Sequence, residues 1–280
     1  MSRAVLITGC SSGIGRCLAL GLAARGYDVI ATARRPADIA ALAAQGLYAL
    51  PLDLAVSESI AAAVETIRAR TGDRLYALIN NAAYGQPGAV EDLSRAALRA
   101  QFETNVFGTH ELTTRLLPVF RAGAAGRIIQ ISSLLGLVCL AYRGAYNASK
   151  FALEALSDTL RLELRGTGIH VSLIEPGPIK SRFRENALAA FRAHIDPAAS
   201  AHREHYQALL DRLLGQRGAL PFTLPPEAVL RRVVHALEAR RPKIRYYVTV
   251  PTYFFAAARR LLPGRLLDRL LYRVGGAGRR

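Results

Sequence analysis

The stretch that decides the fold is TGCSSGIG, residues 8–15, which follows a short apolar segment and opens into an Ala- and Leu-rich stretch. Its glycines permit a tight turn and a close approach of the backbone to a ligand. The free amide groups at the start of the next helix can then receive a pyrophosphate. A purely structural turn is the alternative, but strand, glycine loop and helix in this order are the context of a dinucleotide site. We place that site at Gly9, Ser11, Ser12, Gly13, Ile14 and Gly15.

Outward from this turn, short β-branched segments alternate with longer helical patterns. Such alternation is typical of βαβ units and of a parallel sheet with helices on both faces. We therefore predict an α/β fold, a single-domain, doubly wound, Rossmann-like parallel sheet that binds its ligand beyond the carboxyl ends of the strands. The predicted strands are residues 4–8, 29–32, 47–50, 76–79, 127–131 and 169–174, with a seventh at 244–250.

The alternation stops after Pro176. Residues 180–218 have helical periodicity without a strand, and we predict a helical insertion that covers the mouth of the substrate pocket. A further helix is expected from about Pro226 to Arg240, because two consecutive prolines suit a helix start. We assign residues 1–250 to the nucleotide-binding domain and residues 251–280 to a basic amphipathic helical extension.

The net charge of +16 is concentrated at the C-terminal end, where residues 231–280 contribute +11. Such a patch attracts phosphate ligands, anionic lipid or nucleic acid. No recognisable nucleic-acid motif accompanies it, so we expect no nucleic-acid partner.

The three cysteines are too scattered for a disulfide framework or a metal site, and no metal is expected. No apolar run is long enough to span a membrane, so we predict a cytoplasmic location.

Residues 265–274 form a clean amphipathic pattern with leucines on one side and mainly arginines on the other. Two explanations stay open. The apolar side docks on its own domain or on a subunit partner, or the helix attaches reversibly to an anionic membrane surface.

The end of the second predicted strand bears on the choice of cofactor. An acidic residue there would bind the ribose hydroxyls of NAD, but the chain has Ala33, Arg34 and Arg35. Ala33 leaves room, and Arg34 offers a planar cationic fork for a 2′-phosphate. This favours NADP(H) over NAD, with a solvated pair of surface arginines as the alternative.

Tyr146 and Lys150 are four residues apart in a strongly helical segment, so their side chains share one face. A nearby ammonium stabilises phenolate and lowers a tyrosine pKa, which makes Tyr146 a candidate general acid/base. Ser133 ends the fifth predicted strand, where a hydroxyl can bond a substrate oxygen as charge develops on it.

These motifs together resemble the classical short-chain dehydrogenases/reductases. The resemblance rests on Thr8-Gly9-x3-Gly13-Ile14-Gly15, Asn80-Asn81-Ala82, Ser133 and Tyr146-x3-Lys150, and it covers roughly residues 3–180. Through YNASKFALE, residues 146–154, the chain is most similar to the branch of hydroxysteroid dehydrogenases, retinol dehydrogenases and aldehyde reductases.

The resemblance implies a catalytic set. In it, Ser133 orients the carbonyl, Tyr146 donates or accepts the proton, and Lys150 holds the nicotinamide ribose while lowering the tyrosine pKa. Asn105 falls where the family keeps an asparagine for a water-linked proton relay. Without the family, Asn105 reads as a helix-surface amide.

The resemblance also extends the cofactor site. Asp53 matches the position that bonds adenine, Asn80 would line the adenosine side with Ala82 in the same loop, and Pro176 and Gly177 would flank the nicotinamide. A homodimer or homotetramer is also implied.

The chain departs from the family pattern in two places. The family usually has Asn-Asn-Ala-Gly, whereas this chain has Ala83 after Ala82, with glycine delayed to Gly85. We expect the added methyl to be tolerated. After Pro176-Gly177 the family often has a threonine that contacts the nicotinamide amide, and here only Ser181 offers a hydroxyl.

The residues around Ser133 and Tyr146 are largely apolar. An apolar pocket with a few polar groups suits a hydrophobic aldehyde, ketone, sterol-like or retinoid-like substrate rather than a small polar metabolite. The set is Tyr84, Leu134, Leu135, Leu137, Val138, Leu140, Tyr142 and Phe183.

The sequence thus predicts an NADP(H)-dependent oxidoreductase that interconverts a lipophilic carbonyl compound and its alcohol. Two other classes stay open, an isomerase or dehydratase and a non-catalytic nucleotide-binding protein on the same fold.

Overall fold

In the computed structural model, which describes residues 3–72, 74–214 and 221–275, one parallel sheet organises the chain. Its seven strands are ordered β3-β2-β1-β4-β5-β6-β7. The order reverses between β1 and β4, which is where such sheets bind their ligands. The predicted doubly wound sheet is confirmed. The strands are β1 (Ala4–Ile7), β2 (Asp28–Ala33), β3 (Tyr48–Pro51), β4 (Leu75–Asn80), β5 (Gly126–Ile131), β6 (Ile169–Glu175) and β7 (Arg245–Tyr247).

Helices cover both faces of the sheet, and two of them lie in the predicted insertion. They are α1 (Gly13–Ala23), α2 (Pro36–Ala43), α3 (Ser57–Thr71), α4 (Arg95–Phe102), α5 (Thr109–Ala122), α6 (Gly144–Glu163), α7 (Phe183–His194), α8 (Arg203–Leu213), α9 (Glu227–Glu238), α10 (Val250–Leu261) and α11 (Gly264–Gly275). A π-helical turn, Glu103–Gly108, joins α4 to α5, and a 3-10 turn, Leu134–Gly136, follows β5.

The core has two layers, because successive side chains of a strand point to opposite faces. Val5 and Ile7 of β1 pack with α1 and α9 on one face. Leu6 packs on the other face with α3 and α5. All three are fully buried, and each such side chain contributes about 1.5–3 kcal/mol through burial. The sheet therefore holds the carboxyl ends of its strands in a rigid frame.

The seventh strand is shorter than predicted. It covers only Arg245–Tyr247, whereas the sequence pattern indicated residues 244–250. The reason lies at Pro251, in the first turn of α10, which cannot donate to a sheet ladder but suits a helix start. The helical C-terminal region accordingly begins at Val250, one residue before the predicted boundary.

The insertion is helical, as the periodicity indicated, and it consists of α7 and α8. Residues 215–218 of the predicted segment lie outside the described residues. The fully buried Tyr206 anchors α8. Its hydroxyl accepts a hydrogen bond of 2.8 Å from the amide of Ala89 and donates to Asp92, so the insertion is tied to the loop before α4.

The amphipathic helix α11 docks on its own domain. Leu267, Leu270 and the buried Leu271 pack against Leu134 and Val138, just after β5. This accounts for the apolar side by the first of the two explanations, while contact with a membrane surface stays a prediction. Across the described ranges, no helix combines the length and the apolar character that crossing a bilayer requires.

Candidate active site

Three side chains meet at the carboxyl end of the sheet. Ser133 lies two residues beyond the end of β5, and Tyr146 and Lys150 occupy the first two turns of α6. The Tyr146 hydroxyl and Ser133 share a hydrogen bond. The Lys150 ammonium lies 5.8 Å from the centre of the Tyr146 ring. Residues 13 positions apart in the chain are thus brought to one place.

Lys150 is fixed rather than free. Its side chain is buried, and its ammonium donates a 2.8 Å hydrogen bond to the carbonyl oxygen of Ile131 in β5. Burial lowers the pKa of Lys150 to about 8, and the charge of Glu154 opposes that shift. The ammonium form consequently dominates at neutral pH but not far above it.

The pKa of Tyr146 shifts opposite to the sequence-based expectation. Burial raises it to about 12, and the hydrogen bond with Ser133 only partly counters this. The expectation that the pKa of Tyr146 is lowered is wrong for the protein alone, because the cost of removing a phenolate from water is the largest effect on this group. Tyr146 is therefore a phenol at rest, ready to donate a proton.

Asn105 lies in the π-helical turn, a feature that often marks functional sites. It is buried, so the alternative of a helix-surface amide is wrong. Its amide nitrogen donates to the carbonyl oxygen of Tyr84 at 2.9 Å and to Ser149 Oγ at 3.1 Å. Asn105 thereby links the loop after β4 to the residue that precedes Lys150.

The glycine loop has the shape that a pyrophosphate needs. Gly9 and Gly13 have φ values of +71° and +52°, a backbone conformation that residues other than glycine rarely adopt. A methyl group on Gly15 would lie 2.1 Å from the carbonyl oxygen of Gly9. Ser12 is the N-cap of α1 but makes no side-chain cap hydrogen bond, and the first turn has no acidic residue. These features fit a phosphate-bearing dinucleotide.

Asn81 braces this loop, a role that sequence reasoning missed. Its side-chain amide donates to the carbonyl oxygens of Thr8 at 2.8 Å and Gly9 at 3.1 Å. Thr8 Oγ1 in turn accepts from the backbone amides of Asn81 and Ala82 at 2.9 Å. Only the position of Asn81 in the Asn-Asn-Ala motif could have indicated this.

Two other predicted cofactor residues differ in where they point. Asp53 follows β3, and its carboxylate accepts a 3.0 Å hydrogen bond from the amide of Ala55. The buried amide of Asn80 donates to Thr113 Oγ1 on α5 at 2.9 Å. The structure thus directs the Asn80 side chain into the helix layer and not toward the glycine loop, where Asn81 is used instead.

Arg34 and Arg35 are not equivalent. Arg35 pairs with Asp38 at 2.7 Å, whereas Arg34, in the part of the chain that the structure describes, has no carboxylate partner. Arg34 is exposed and lies close enough to Tyr84 that its charge opposes the rise in the pKa of that phenol caused by burial. Arg34 is the arginine left available for a ligand.

The segment after β6 closes the other side of the crevice. The carbonyl oxygen of Pro176 accepts a 2.8 Å hydrogen bond from the amide of Leu134, next to Ser133. A methyl group on Gly177 would lie 2.1 Å from Thr249 Oγ1. Ser181 comes within 2.8 Å of a methyl placed on Gly13, so it lies over the glycine loop.

Phe183, the first residue of α7, packs edge-on to Tyr146 with ring centres 5.3 Å apart. A methyl on Gly85 would lie 2.7 Å from this ring, so the delayed glycine makes room for it. Ala83 is not among the residues with positive φ, so its methyl introduces no backbone strain.

Comparison with known proteins agrees with this geometry. The model of the short chain dehydrogenase family matches residues 3–190. The chain is 44% identical over 272 residues to a protein of Escherichia coli (strain K12) named "Uncharacterized oxidoreductase YbbO", covering 97% of this chain and 94% of that protein.

Two further relatives carry more specific names. The chain is 34% identical to an NADPH-dependent 3-dehydrocapnine reductase of Ornithobacterium rhinotracheale, covering 97% of this chain and 96% of the relative. It is 33% identical to retinol dehydrogenase 5 of Mus musculus, covering 95% and 87% of the two chains.

Proposed function

Because this chain belongs to the short-chain dehydrogenase family and is an oxidoreductase of that family, we propose that it interconverts a carbonyl compound and an alcohol, using NADP(H). The observation that supports this best is the Ser133, Tyr146 and Lys150 arrangement at the carboxyl end of the sheet. It brings together a phenol, a hydroxyl and a buried ammonium, the groups that such a reaction needs.

A nicotinamide cofactor, when bound, would supply or accept the hydride. In the reducing direction, Tyr146 donates its proton to the substrate oxygen as negative charge develops there. Ser133 orients that oxygen by a hydrogen bond. Lys150, held by Ile131, provides the positive charge that stabilises the phenolate left behind. The structure supports Tyr146 as an acid because its resting form is protonated.

NADP(H) is our choice of cofactor. We propose that Ala33, which ends β2, and Arg34, which has no carboxylate partner among the described residues, offer space and charge for a 2′-phosphate. One relative is named NADPH-dependent. We assign the remaining contacts to the glycine loop, Asp53, Ala82, Pro176 and Gly177.

The substrate that we propose is hydrophobic. The ring of Phe183, which is 37% exposed, lies against Tyr146 and gives this side of the site an apolar surface. Leu134 and Val138 are instead buried against α10 and α11. We propose that α7 and α8 cover the substrate pocket. A cytoplasmic location and an oligomeric state stay predictions.

A spectrophotometric screen tests the function. We expect consumption of NADPH with medium-chain aldehydes, retinal or ketosteroids, followed at the nicotinamide absorption band. Conversion of a substrate without any net change in NADPH would favour the isomerase class, and binding of NADPH without turnover of any compound would favour a non-catalytic protein.

Replacing Arg34 should change cofactor preference. We expect Arg34→Ala to lower kcat/KM for NADPH by about 10- to 100-fold, the value of one or two charge-assisted hydrogen bonds, while kcat/KM for NADH changes little. Arg35→Ala is the matched control, since Arg35 is already paired with Asp38. Equal losses in the two variants, or a wild type that prefers NADH, would contradict the role of Arg34.

A further inference from the structure

A cluster of buried charges lies behind the catalytic residues and has no part in the mechanism above. Arg245 of β7 is at its centre, with Nη2 2.8 Å from Glu154 and 2.7 Å from Asp158 of α6. Its Nε lies 3.0 Å from Glu175, the last residue of β6. Glu175 is completely buried, and Glu154 is 6% exposed. Buried carboxylates are costly unless they are paired, so this arrangement needs an explanation.

More carboxyl groups surround Arg245 than its single charge can neutralise. Those of Glu154, Asp158 and Glu175 all lie within 3.0 Å of its guanidinium, and Arg161 pairs with Asp158 at 2.9 Å. Neither oxygen of Glu175 has a hydrogen-bond partner among the described residues. Glu175 is therefore the carboxyl group that is least able to carry a negative charge.

Glu175 is the group that retains the proton. Burial and the neighbouring charge of Glu154 raise the pKa of Glu175 to about 9, even though Arg245 opposes the shift. Tyr247 of β7 also lies near Glu175. Burial raises the pKa of Glu154 as well, but its 2.8 Å ion pair with Arg245 opposes that rise. Glu154, which makes the shorter contact with Arg245, is therefore better placed than Glu175 to carry the negative charge.

Glu154 lies near two parts of the catalytic site, Lys150 and the turn that follows Ser133. It follows Lys150 by one helical turn, so the two side chains share a face of α6. Its negative charge opposes the lowering of the Lys150 pKa that burial causes. A methyl on Gly136 would lie 2.9 Å from Glu154 Cγ and 2.8 Å from Ser132 Oγ, so Glu154 also packs on the turn that follows Ser133.

We propose that Glu154 is a positioning residue whose carboxylate, held by Arg245, keeps the Lys150 ammonium charged, while the neighbouring Glu175 is a neutral acid. Glu154 touches neither substrate nor cofactor, and it acts through Lys150. The relevance of this coupling to turnover rests on the proposed function, whereas the coupling itself can be measured without any substrate.

The chain offers an unusually direct measurement, because its only lysines are Lys150, Lys180 and Lys243. NMR of protein labelled with carbon-13 at lysine Cε gives one titrating signal for each, and Lys150→Arg assigns the signal of Lys150. In Glu154→Gln we expect the Lys150 pKa to fall by about one pH unit relative to the wild type, because a nearby anion that favoured the charged amine is gone.

Two further substitutions serve as controls, each replacing an acid by the amide of nearly equal size. Glu175→Gln should leave the Lys150 titration unchanged, since the amide replaces a group that is already neutral. Asp158→Asn should also leave it unchanged, because Asp158 faces Arg245 and lies two turns beyond Lys150. An unchanged Lys150 pKa in Glu154→Gln overturns the proposal, and a shift in Glu175→Gln as large as that in Glu154→Gln overturns the placement of the proton.

The pH profile of kcat adds a second reading. We expect kcat to fall at high pH, where the Lys150 ammonium loses its proton. In Glu154→Gln, the pH of this fall should be lower by the same amount as the Lys150 pKa measured by NMR. A shift of the NMR signal in a protein that turns over no carbonyl compound would contradict the proposed function and not the coupling. If Glu154→Gln lowers the Lys150 pKa but leaves the fall of kcat at high pH unchanged in an active enzyme, the positioning role is overturned.

Discussion

Tyr146→Phe should lower kcat by about 10²- to 10⁴-fold, the usual contribution of a positioned general acid. The substitution removes the hydroxyl that we propose as the proton donor and keeps the ring that packs against Phe183. The dissociation constant for NADPH, measured by fluorescence quenching, should stay within about threefold of the wild type, a difference of about 0.7 kcal/mol.

Tyr48→Phe is the matched control for this prediction. Tyr48 starts β3 and its ring lies against Arg70, 4.1 Å from the guanidinium, so loss of its hydroxyl should not alter turnover. A Tyr146→Phe enzyme with more than about a tenth of the wild-type kcat would assign the proton to another donor, since a single catalytic acid accounts for at least 10²-fold.

Gly15→Ala should raise the dissociation constant for NADPH by at least about 100-fold and lower the free energy of unfolding by about 1–3 kcal/mol, as overpacking typically does. The methyl would lie 2.1 Å from the carbonyl oxygen of Gly9 and 2.6 Å from Nδ2 of Asn81. A backbone oxygen cannot move aside by a change of rotamer, so the loop must open and the brace formed by Asn81 must break.

Gly264→Ala tests whether any Gly-to-Ala change has this effect, because a methyl there has no heavy atom within 4 Å. Circular dichroism melting should show an unchanged midpoint for Gly264→Ala and a lowered one for Gly15→Ala. If Gly15→Ala is too unstable to titrate, Gly13→Ala gives the second reading, because its methyl would lie 2.8 Å from the Ser181 side chain over the same loop. Wild-type affinity for NADPH in both loop variants would exclude the loop as the cofactor site.

The parts of the fold that were predicted correctly depend on local patterns. Six strands appear within two residues of the predicted bounds, because buried parallel strands read as short apolar runs. The pair of Tyr146 and Lys150 follows from a spacing of four on a helix. The seventh strand was predicted too long, since Tyr246 and Val248 continue the apolar pattern while Pro251 ends it.

The site was less predictable where one residue depends on another far along the chain. The direction of the Asn80 side chain was decided by Thr113, which lies 33 residues away and binds its amide. Likewise, Arg245 and Glu154 are 91 residues apart, and no motif connects them.

The sequence by itself determined the order of strands and helices, the glycine loop and the presence of Ser133, Tyr146 and Lys150, because periodicity and short spacings are properties of neighbouring residues. Only the tertiary structure decided the protonation of these groups. A pKa depends on the exclusion of water and on charges brought in by other strands, which is why burial overrides the expected effect of Lys150 on Tyr146. The docking of α11 near Ser133 was decided in the same way, by the apolar surface that Leu134 and Val138 present to it.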